Sequence, residues 1–579
     1  MAVNKSKATD VPKVSSVERI KRESNYLRGK IAEELADDRT DFVSSDSVQL
    51  LKHHGTYQQD DRDERAARRA AGAKSGKAYC FMVRTKIPAG KLDSRQLLAE
   101  LDLCDEVGNT TLRITTRQGL QLHGVLKGDL ARAVRRINEV QLSTLAACGD
   151  VERNVMCCPA PHDFDPVHEE MQGLAARIAD HLCPQTTAYH EIWLDDPETG
   201  QRQRVGGGSD GHEVEPIYGP TYLPRKFKTG IGLPGDNCID LYSHDLGLMA
   251  ICEDFRIVGY NVLVGGGFGF TPSAKKTFPA VAKRFCFIDT ERVVDLATAI
   301  VGVQRDFGNR ADRKVARLKY LIADWGLDAF RTKVEAYFGA PLAEPNPVDV
   351  HGFDDHIGWQ EQGDGVWCYG LNVENGRIQD TPRMRLKTAL RTICSTLEPG
   401  IRLTAHQSLL MTDVAEKDRQ QLEQVLSDHG VPLSEQISTA RRWSMACPAL
   451  PTCGLAVTES ERALPTMIDQ LEAELTRLQL DDERFTLRMT GCPNGCARPY
   501  NADIGLVGKT AGKYTVLLGG RLLGDRLNWI YKDMVPTDQV VPTLVSVFAH
   551  FKEHRFPDET LGDFCDRLGR EELLAACDQ

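Results

Sequence analysis

LRITTRQGLQL at residues 112–122 and IRLTAHQSLLM at 401–411 are two versions of one segment. Arg113 matches Arg402, Thr115 matches Thr404 and Gln118 matches Gln407, and a helical pattern of similar length precedes each copy. Alternate residues of a strand leave opposite faces. Read as strand, the first copy puts Arg113, Thr115, Arg117, Gln121 and His123 on one polar face and Leu112, Ile114, Leu120 and Leu122 on an apolar one. The second sets Arg402, Thr404 and His406 against Leu403, Ala405, Leu409 and Met411. An internal repeat of this kind predicts an α+β fold of two pseudo-two-fold related mixed-sheet halves, with polar strand faces converging on a cleft.

Outward from the repeat, residues 1–75 are charged and mostly helical in pattern, ending in DDRDERAARRAAGAKSGK. They read as an N-terminal extension that wraps the body or contacts another subunit. From about Tyr79, strands such as YCFMVRTKI and TLRITTRQGLQLHGV flank a helix near 92–106. Helical patterns recur at 166–183, 292–304, 311–324, 415–429 and 461–478, with glycine loops at Gly206–Gly208 and Gly265–Gly269. The acidic, proline-containing stretch 340–365 reads as a boundary. The expected units are 1–75; 76–150 together with 345–425 as the repeat domain; 151–344; and 426–579.

A chain of 579 residues exceeds what one core supports, so several domains are expected. Its net charge of −11 argues against a generic nucleic-acid binder. No apolar run approaches the length of a membrane span. The N-terminus has no apolar signal core and carries Asp10, Glu18 and Glu23 early, which predicts a cytoplasmic protein.

Seventeen cysteines, an odd number, read in a reducing compartment as metal ligands or buried small side chains rather than disulfides. Only one quartet is clustered along the chain. ACPALPTCG holds Cys447 and Cys453, and GCPNGCARP holds Cys492 and Cys496. Four thiolates suit a 4Fe–4S cube or a structural zinc. The first pair is spaced more widely than zinc pairs usually are, and the second fits either.

Basic residues gather beside the strand patterns of this acidic protein. They are Arg84 in MVRTK; Arg153 in ERNVMCC; Arg225, Lys226 and Lys228 in YLPRKFKTG; and Arg305, Arg310 and Arg313 in QRDFGNRADRK. One such strand alone is usually a solvated face. Together with Arg113, Arg117 and His123 they imply a polyanionic ligand, since Arg suits bidentate carboxylate contacts and Lys suits point-charge contacts and proton donation.

These segments together resemble the siroheme-containing sulfite and nitrite reductases, and the assimilatory sulfite-reducing hemoproteins most. The resemblance runs from ERIKRESNYLRG (18–29) through RNVMC, YLPRKFKTGIG, NCIDLYSHDLG, GYNVLVGGG, VQRDFGNRADRKVARLKY and SMACPALPTCGLA to RMTGCPNGCARPYNADIGLVGK (488–509). It covers about nine-tenths of the chain. It implies siroheme and a 4Fe–4S cluster as cofactors. Cys447, Cys453, Cys492 and Cys496 would hold the cluster, and Cys496 would bridge to the siroheme iron. Arg113, Thr115, Arg117, Gln121 and His123 would bind siroheme carboxylates, joined by Arg225, Arg305, Arg310 and Asn494. Arg84, Arg153, Lys226 and Lys228 would surround the anion.

The implied reaction is six-electron reduction of sulfite to sulfide. Lys228 points to sulfite, because nitrite-reducing relatives typically place an uncharged residue there. GGGFGF (265–270) fails the dinucleotide-binding pattern and no flavin module is visible. Electrons would therefore come from a flavoprotein subunit or ferredoxin, with no nucleic acid or membrane involved. Nitrite reductase is the alternative within the family; a non-catalytic iron–sulfur carrier or a zinc-stabilised binding module is the alternative outside it. Some relatives carry a Tyr–Cys bond, for which Tyr79 and Cys148 are the sequence candidates.

Overall fold

The computed structural model describes residues 14–577 except 73–75, 162–165, 190, 196, 198, 208–214 and 364. Residues 1–13 of the expected extension and Gly208 of the first glycine loop therefore lie outside the described residues.

The repeated segments sit at equivalent places in two copies of one unit. In the first copy, strands Tyr79–Thr85, Leu112–Ile114 and Leu120–Val125 pack against helices Ser94–Glu106 and Leu130–Glu139. The second copy uses strands Val366–Leu371, Gly400–Leu403 and Leu409–Ala415 with helices Leu386–Thr396 and Arg419–Asp428. Each copy lends a two-residue strand to the other. Lys91–Leu92 pairs with Gly400–Leu403, and Arg377–Ile378 pairs with Leu112–Ile114. This exchange gives the halves one common apolar core, with Leu101, Leu112 and Leu122 beside Leu390, Leu403 and Leu409.

The segment 112–122 is a hairpin and not the single strand expected from its alternation. Leu112 faces Leu122 and Ile114 faces Leu120 across a turn at 115–119. In that turn Thr115 Oγ1 accepts from the backbone N–H groups of Arg117 (3.2 Å) and Gly119 (3.1 Å). Thr404 does the same for His406 (3.2 Å) and Ser408 (3.1 Å). Gln118 and Gln407 are both left-handed, at φ 51° and 66°. What the sequence repeats is therefore a hydroxyl-pinned turn. Arg113 and Gln121, directly opposite each other, still share a face, whereas Thr115 and Arg117 have left the strand.

Two further units also share one topology. Strands Met156–Cys157, Thr229–Gly232 and Leu246–Glu253 run parallel and are extended antiparallel by Arg256–Val264 and Lys283–Ile288. Ser444–Ala446, Leu487–Thr490 and Ile504–Thr510 repeat this arrangement with Lys513–Leu518 and Trp529–Pro536. Helices Pro166–His181 and Val293–Phe307 belong to the first core, and Leu464–Leu478 and Val540–His554 to the second. The helix expected at 311–324 is broken into a turn at Arg313–Val315 and a helix at Leu318–Trp325.

The N-terminal segment is more deeply built in than an extension. Thr56–Asp60 forms the edge strand of the first half-sheet. Helix Ser16–Glu23 buries Lys21, whose Nζ contacts Glu18 at 2.7 Å, Asp150 at 3.5 Å and the Leu223 carbonyl at 2.7 Å. No helix among the described residues is long and apolar enough to cross a membrane.

The exchanged strands depend on Gly90 (φ +70°) and Gly376 (φ +75°). A Cβ on Gly376 would lie 2.2 Å from the Ile114 carbonyl oxygen, which belongs to a strand and has little freedom to move. Gly376→Ala is expected to cost about 2–3 kcal/mol from left-handed strain and overpacking combined, measured as a loss of unfolding free energy in denaturant. A surface control, Gly200→Ala, which meets nothing within 4 Å, should cost no more than its own backbone strain.

A basic cavity beside four cysteines

Backbone geometry at the junction of the two larger units brings the site together. The segments DLYSHDLG (240–247) and RPYNADIG (498–505) occupy equivalent positions in them. Asp240 and Arg498 are both left-handed, at φ 55° and 54°, and each precedes a short helical turn. The two face one another. Asp240 Oδ2 accepts from Arg498 Nε and, at 2.8 Å, from Arg488 Nη1, with all three side chains buried. Burial opposes ionisation of Asp240, but Arg488 and Arg498 outweigh it and hold the carboxyl at about 2. Arg498 also donates to the Thr116 (2.9 Å) and Ala405 (3.0 Å) carbonyls, so one guanidinium ties both repeated turns to the cysteine loop.

The four cysteines converge from two loops. The Cys447 sulfur accepts from the Gly491 N–H at 3.4 Å. Backbone N–H groups also reach the sulfurs of Cys453, from Leu455 and Ala456, and of Cys492, from Asn494. Burial first, and then the neighbouring thiolates, push the Cys492 thiol up to about 12 and the Cys447 thiol higher still. Thiols crowded in this way ionise when a cationic centre takes up their charge. N–H groups aimed at sulfur suit a cluster, which uses such contacts to tune its potential. Thr116 Oγ1 fixes the loop from the other side by donating to the Cys496 carbonyl at 2.9 Å.

Cys496 opens onto a cavity lined also by Arg117, Lys226, Lys228, His244, Arg317, Asn494 and Arg498. The glycine loop 265–269 forms one wall through Phe268 and Gly269. It wraps the Arg317 guanidinium so closely that a Cβ on Gly267 would lie 2.1 Å from Nη1. Lys319 holds that loop from behind by donating to the Gly267 (2.8 Å) and Gly269 (3.2 Å) carbonyls.

The cations of this cavity lack acids. Among the described residues neither Lys226 nor Lys228 has a hydrogen-bond or ion-pair partner. Burial, then their basic neighbours, push both ammonium groups well below the ordinary lysine range. Arg153 and Arg225 act most on Lys226, and Lys226 and Arg117 on Lys228. Arg117 is likewise pushed down by burial. It reaches Met156 Sδ at 3.3 Å and the Asn154 carbonyl, but its buried Nε has no partner. The His123 Nε2, also buried, has none either, and burial together with Arg377, Arg113 and Arg84 keeps that ring neutral. The exceptions are Arg317, whose Nε and Nη2 donate to the two oxygens of Asp245, and Arg498, held by Asp240.

Of the residues read from sequence, the four cysteines come together, and Arg117, Lys226, Lys228 and Asn494 line the cavity with Cys496. Arg153 stands within the field of both lysines, and Arg84 beside Arg153 and Cys148. Arg225 is buried within the fields of Asp150, Arg313 and Arg153. With its oxygen turned toward Arg84, the Gln121 amide accepts from Nε at 2.9 Å and so orients that guanidinium. Thr115 spends its oxygen on the turn described above.

Three expectations are corrected. Arg305 pairs with Asp306 (2.7 Å) and the Ile217 carbonyl (2.5 Å), away from the cavity. Arg310 is committed to Glu18 and the Tyr222 carbonyl (2.7 Å), clamping the N-terminal helix. Tyr79 packs on Phe42, at 5.1 Å between rings; Tyr57, on the neighbouring strand, hydrogen-bonds Cys148. Arg113 lies at the edge of the site. It donates to Glu461 at 2.9 Å and the Ala446 carbonyl at 2.8 Å, next to Cys447, so its charge is already matched. Sequence reading missed Arg317, His244 and the Asp240–Arg498 pair. The similarity of DLYSHDLG to RPYNADIG was the signal available for the last two segments.

Comparison with known proteins agrees with this architecture. Residues 174–342 and 438–579 match the nitrite and sulphite reductase 4Fe–4S domain, and residues 73–140 and 360–429 match the nitrite/sulfite reductase ferredoxin-like half domain. The chain belongs to the nitrite and sulphite reductase family. It is 44% identical over 557 residues to a protein of Staphylococcus haemolyticus named sulfite reductase (NADPH) hemoprotein beta-component, covering 96% of this chain and 95% of that one. It is 43% identical to a sulfite reductase (ferredoxin) of Synechococcus elongatus, covering 97% of this chain and 90% of that protein. The solved structure of Mycobacterium tuberculosis NirA shares the fold, with a TM-score of 0.78 at 24% identity over 97% of this chain and 98% of that one.

Asp150 anchors the basic wall from behind, with Arg313 at 2.7 and 3.0 Å and Lys21 at 3.5 Å. Although burial opposes it, Lys21 and Arg313 hold this carboxyl well below the usual carboxylate range. Its stabilising contribution is therefore full above about pH 4, the ordinary carboxylate range, and fades as pH falls below it. Asp150→Asn is expected to cost about 3 kcal/mol at neutral pH, read as lost unfolding free energy. The deficit should stay constant between pH 6 and 8.

Proposed function

We propose that this chain is the catalytic hemoprotein of an assimilatory sulfite reductase, reducing sulfite to sulfide with six electrons. The observation that carries the reading is the set of acid-free cations around Cys496. Lys226 and Lys228 stand unpartnered in a cavity that also receives Arg117 and the field of Arg153. A ligand with several negative groups would supply the missing counter-charges. Full-length similarity to proteins named sulfite reductase supports the same reading.

Cys447, Cys453, Cys492 and Cys496 would hold the 4Fe–4S cluster that this family domain is named for. The residues present also fit siroheme: the Arg117 Nε donor and the His123 Nε2 are buried without partners. Arg117, His123, Arg225 and Asn494 would meet its carboxylates. Arg113, Thr115 and Gln121 would act by positioning, through Glu461, the turn and Arg84 respectively. Siroheme coupled to the cluster would supply single electrons and an iron that takes sulfur.

The remaining work falls to this chain's own side chains. Arg84, Arg153, Lys226 and Lys228 would neutralise the anion's oxygens, in a site dry enough to make each charge count. Proton delivery falls to the lysines, because arginine keeps its proton while a lysine crowded by burial and like charges gives one up more readily. Phe268 and the glycine loop limit water on one side. Electrons would come from a flavoprotein subunit or from ferredoxin; the names of the relatives include NADPH-using and ferredoxin-using sulfite reductases.

Turnover with an artificial reductant tests this reading. The protein should give a higher kcat/KM for sulfite than for nitrite, and the reverse order would favour a nitrite reductase. Lys228→Asn should depress sulfite turnover about 100-fold, the usual scale for one general acid, and nitrite turnover much less. Equal losses would remove Lys228 as the discriminator. Because the anion needs protonated lysines whose pKa is depressed, kcat/KM for sulfite should fall as pH rises, well before 10.5. Lys228→Arg should flatten that fall. Cys496→Ser should lose both the cluster's coupling and turnover.

A further inference from the structure

A second group of metal-ligating side chains lies outside the cavity. Cys158, Asp236, Cys238 and His356 each present one ligand atom, and the four atoms lie within 4.8 Å of one another. They come from distant segments: the end of strand Met156–Cys157, the loop after strand Thr229–Gly232, and the linker that leads to the second ferredoxin-like half. Cys158, Cys238 and His356 are buried and Asp236 nearly so.

The spacings are close to a tetrahedron's edges, the sulfur–nitrogen one within range and the two to Asp236 Oδ2 somewhat shorter. Cys158 Sγ is 3.0 Å from Asp236 Oδ2 and 3.6 Å from His356 Nε2, and that nitrogen is 3.1 Å from the same oxygen. Zinc bonds of about 2.3 Å to sulfur and about 2.0 Å to nitrogen or oxygen give edges of about 3.3–3.8 Å. Supporting contacts set the ligand atoms. Asp236 spends its other oxygen on the N–H groups of Cys238 and Asp354, both at 3.1 Å, leaving Oδ2 to face the sulfur. The second ring nitrogen of His356 is buried without a hydrogen-bond partner, and the Asp354 carboxylate 4.0 Å away is the nearest charge that could orient the ring.

The backbone around the group is already closed. Linker residues His351 and Gly352 donate to the Pro234 carbonyl (2.8 and 3.1 Å), and Asn237 donates back to Gly352 (3.0 Å). A Cβ on Gly352 would lie 2.0 Å from the Gly235 carbonyl oxygen, so the two chains run in direct contact. Asn154 and Met156, just before Cys158, hold Arg117, and Asp240, two residues past Cys238, holds Arg498.

We propose that Cys158, Asp236, Cys238 and His356 bind one structural zinc ion, which staples the 350–357 linker to the loop and strand end that build the cavity. Two thiolates, a carboxylate and a neutral imidazole form a closed four-coordinate N/O/S set with no position left for substrate, which marks the site as structural. The site does not depend on the redox reading.

The test uses purified holoprotein in metal-free buffer, with zinc and iron measured on the same sample and the zinc edge examined by X-ray absorption. We expect about one zinc per chain, with two sulfurs at about 2.3 Å and two lighter atoms at about 2.0 Å. His356→Ala and the double variant Cys158→Ser/Cys238→Ser should lose the zinc, keep their iron and melt at a lower temperature. The wild-type absorption spectrum decides the matter even if those variants fail to fold. A preparation without zinc, zinc in a four-sulfur shell that places it on the Cys447 quartet, or a Cys158–Cys238 disulfide in the non-reduced peptide map would each overturn the proposal.

Discussion

Gathering Arg117, Lys226 and Lys228 around one cavity costs free energy that the protein's own carboxylates, Glu152 beside Arg117 among them, return only in part. Each ammonium leaves water and faces others of its sign, and the depressed lysine pKa values express that cost. The fold tolerates the strain because each cation's support is built elsewhere. Asp150 with Lys21 and Arg313 holds the outer wall, Asp245 holds Arg317, and Asp240 holds Arg488 and Arg498. Inside the ring of supported cations, the inner set is left to a ligand.

Symmetry makes this arrangement possible. Two half-sheets exchange short strands, and two larger units repeat another topology, so each polar turn has a counterpart facing it. The counterparts then diverge. Asp240 and Arg498 occupy one position in the two larger units but carry opposite charges, which turns a repeat into an ion pair across the junction. Likewise Gln118 donates to the Leu403 carbonyl whereas Gln407 donates to Ala446, next to Cys447. One larger unit carries the loops of Cys447, Cys453, Cys492 and Cys496, and the other carries Lys226 and Lys228.

The features legible in the sequence were the local ones. The cysteine pairs, the RKFK lysines and the repeated turn each lie within about a dozen residues, so spacing and type announce them. Alternation misread the turn as strand, because Thr115 and Arg117 keep the period while their backbone leaves it. Arg305 and Arg310 carry the same signal as the true cavity residues. Only the fold shows that Glu18, far away in the chain, has already claimed Arg310. Tyr57 and Tyr79 lie on adjoining antiparallel strands, three residues apart in register, so strand pairing rather than composition selects Tyr57 as the neighbour of Cys148. Cys158, Cys238 and His356 are invisible to spacing rules, since nearly two hundred residues separate the first from the last.

The central claim is that the acid-free cations and the thiol quartet serve two adjoining prosthetic groups. Metal and pigment analysis of anaerobically purified protein tests it most directly. The account predicts about five iron atoms and four acid-labile sulfides per chain, with one extractable tetrapyrrole bearing many carboxylates. Iron and sulfide without any tetrapyrrole, or a colourless protein with four alkylatable thiols at Cys447, Cys453, Cys492 and Cys496, would contradict it.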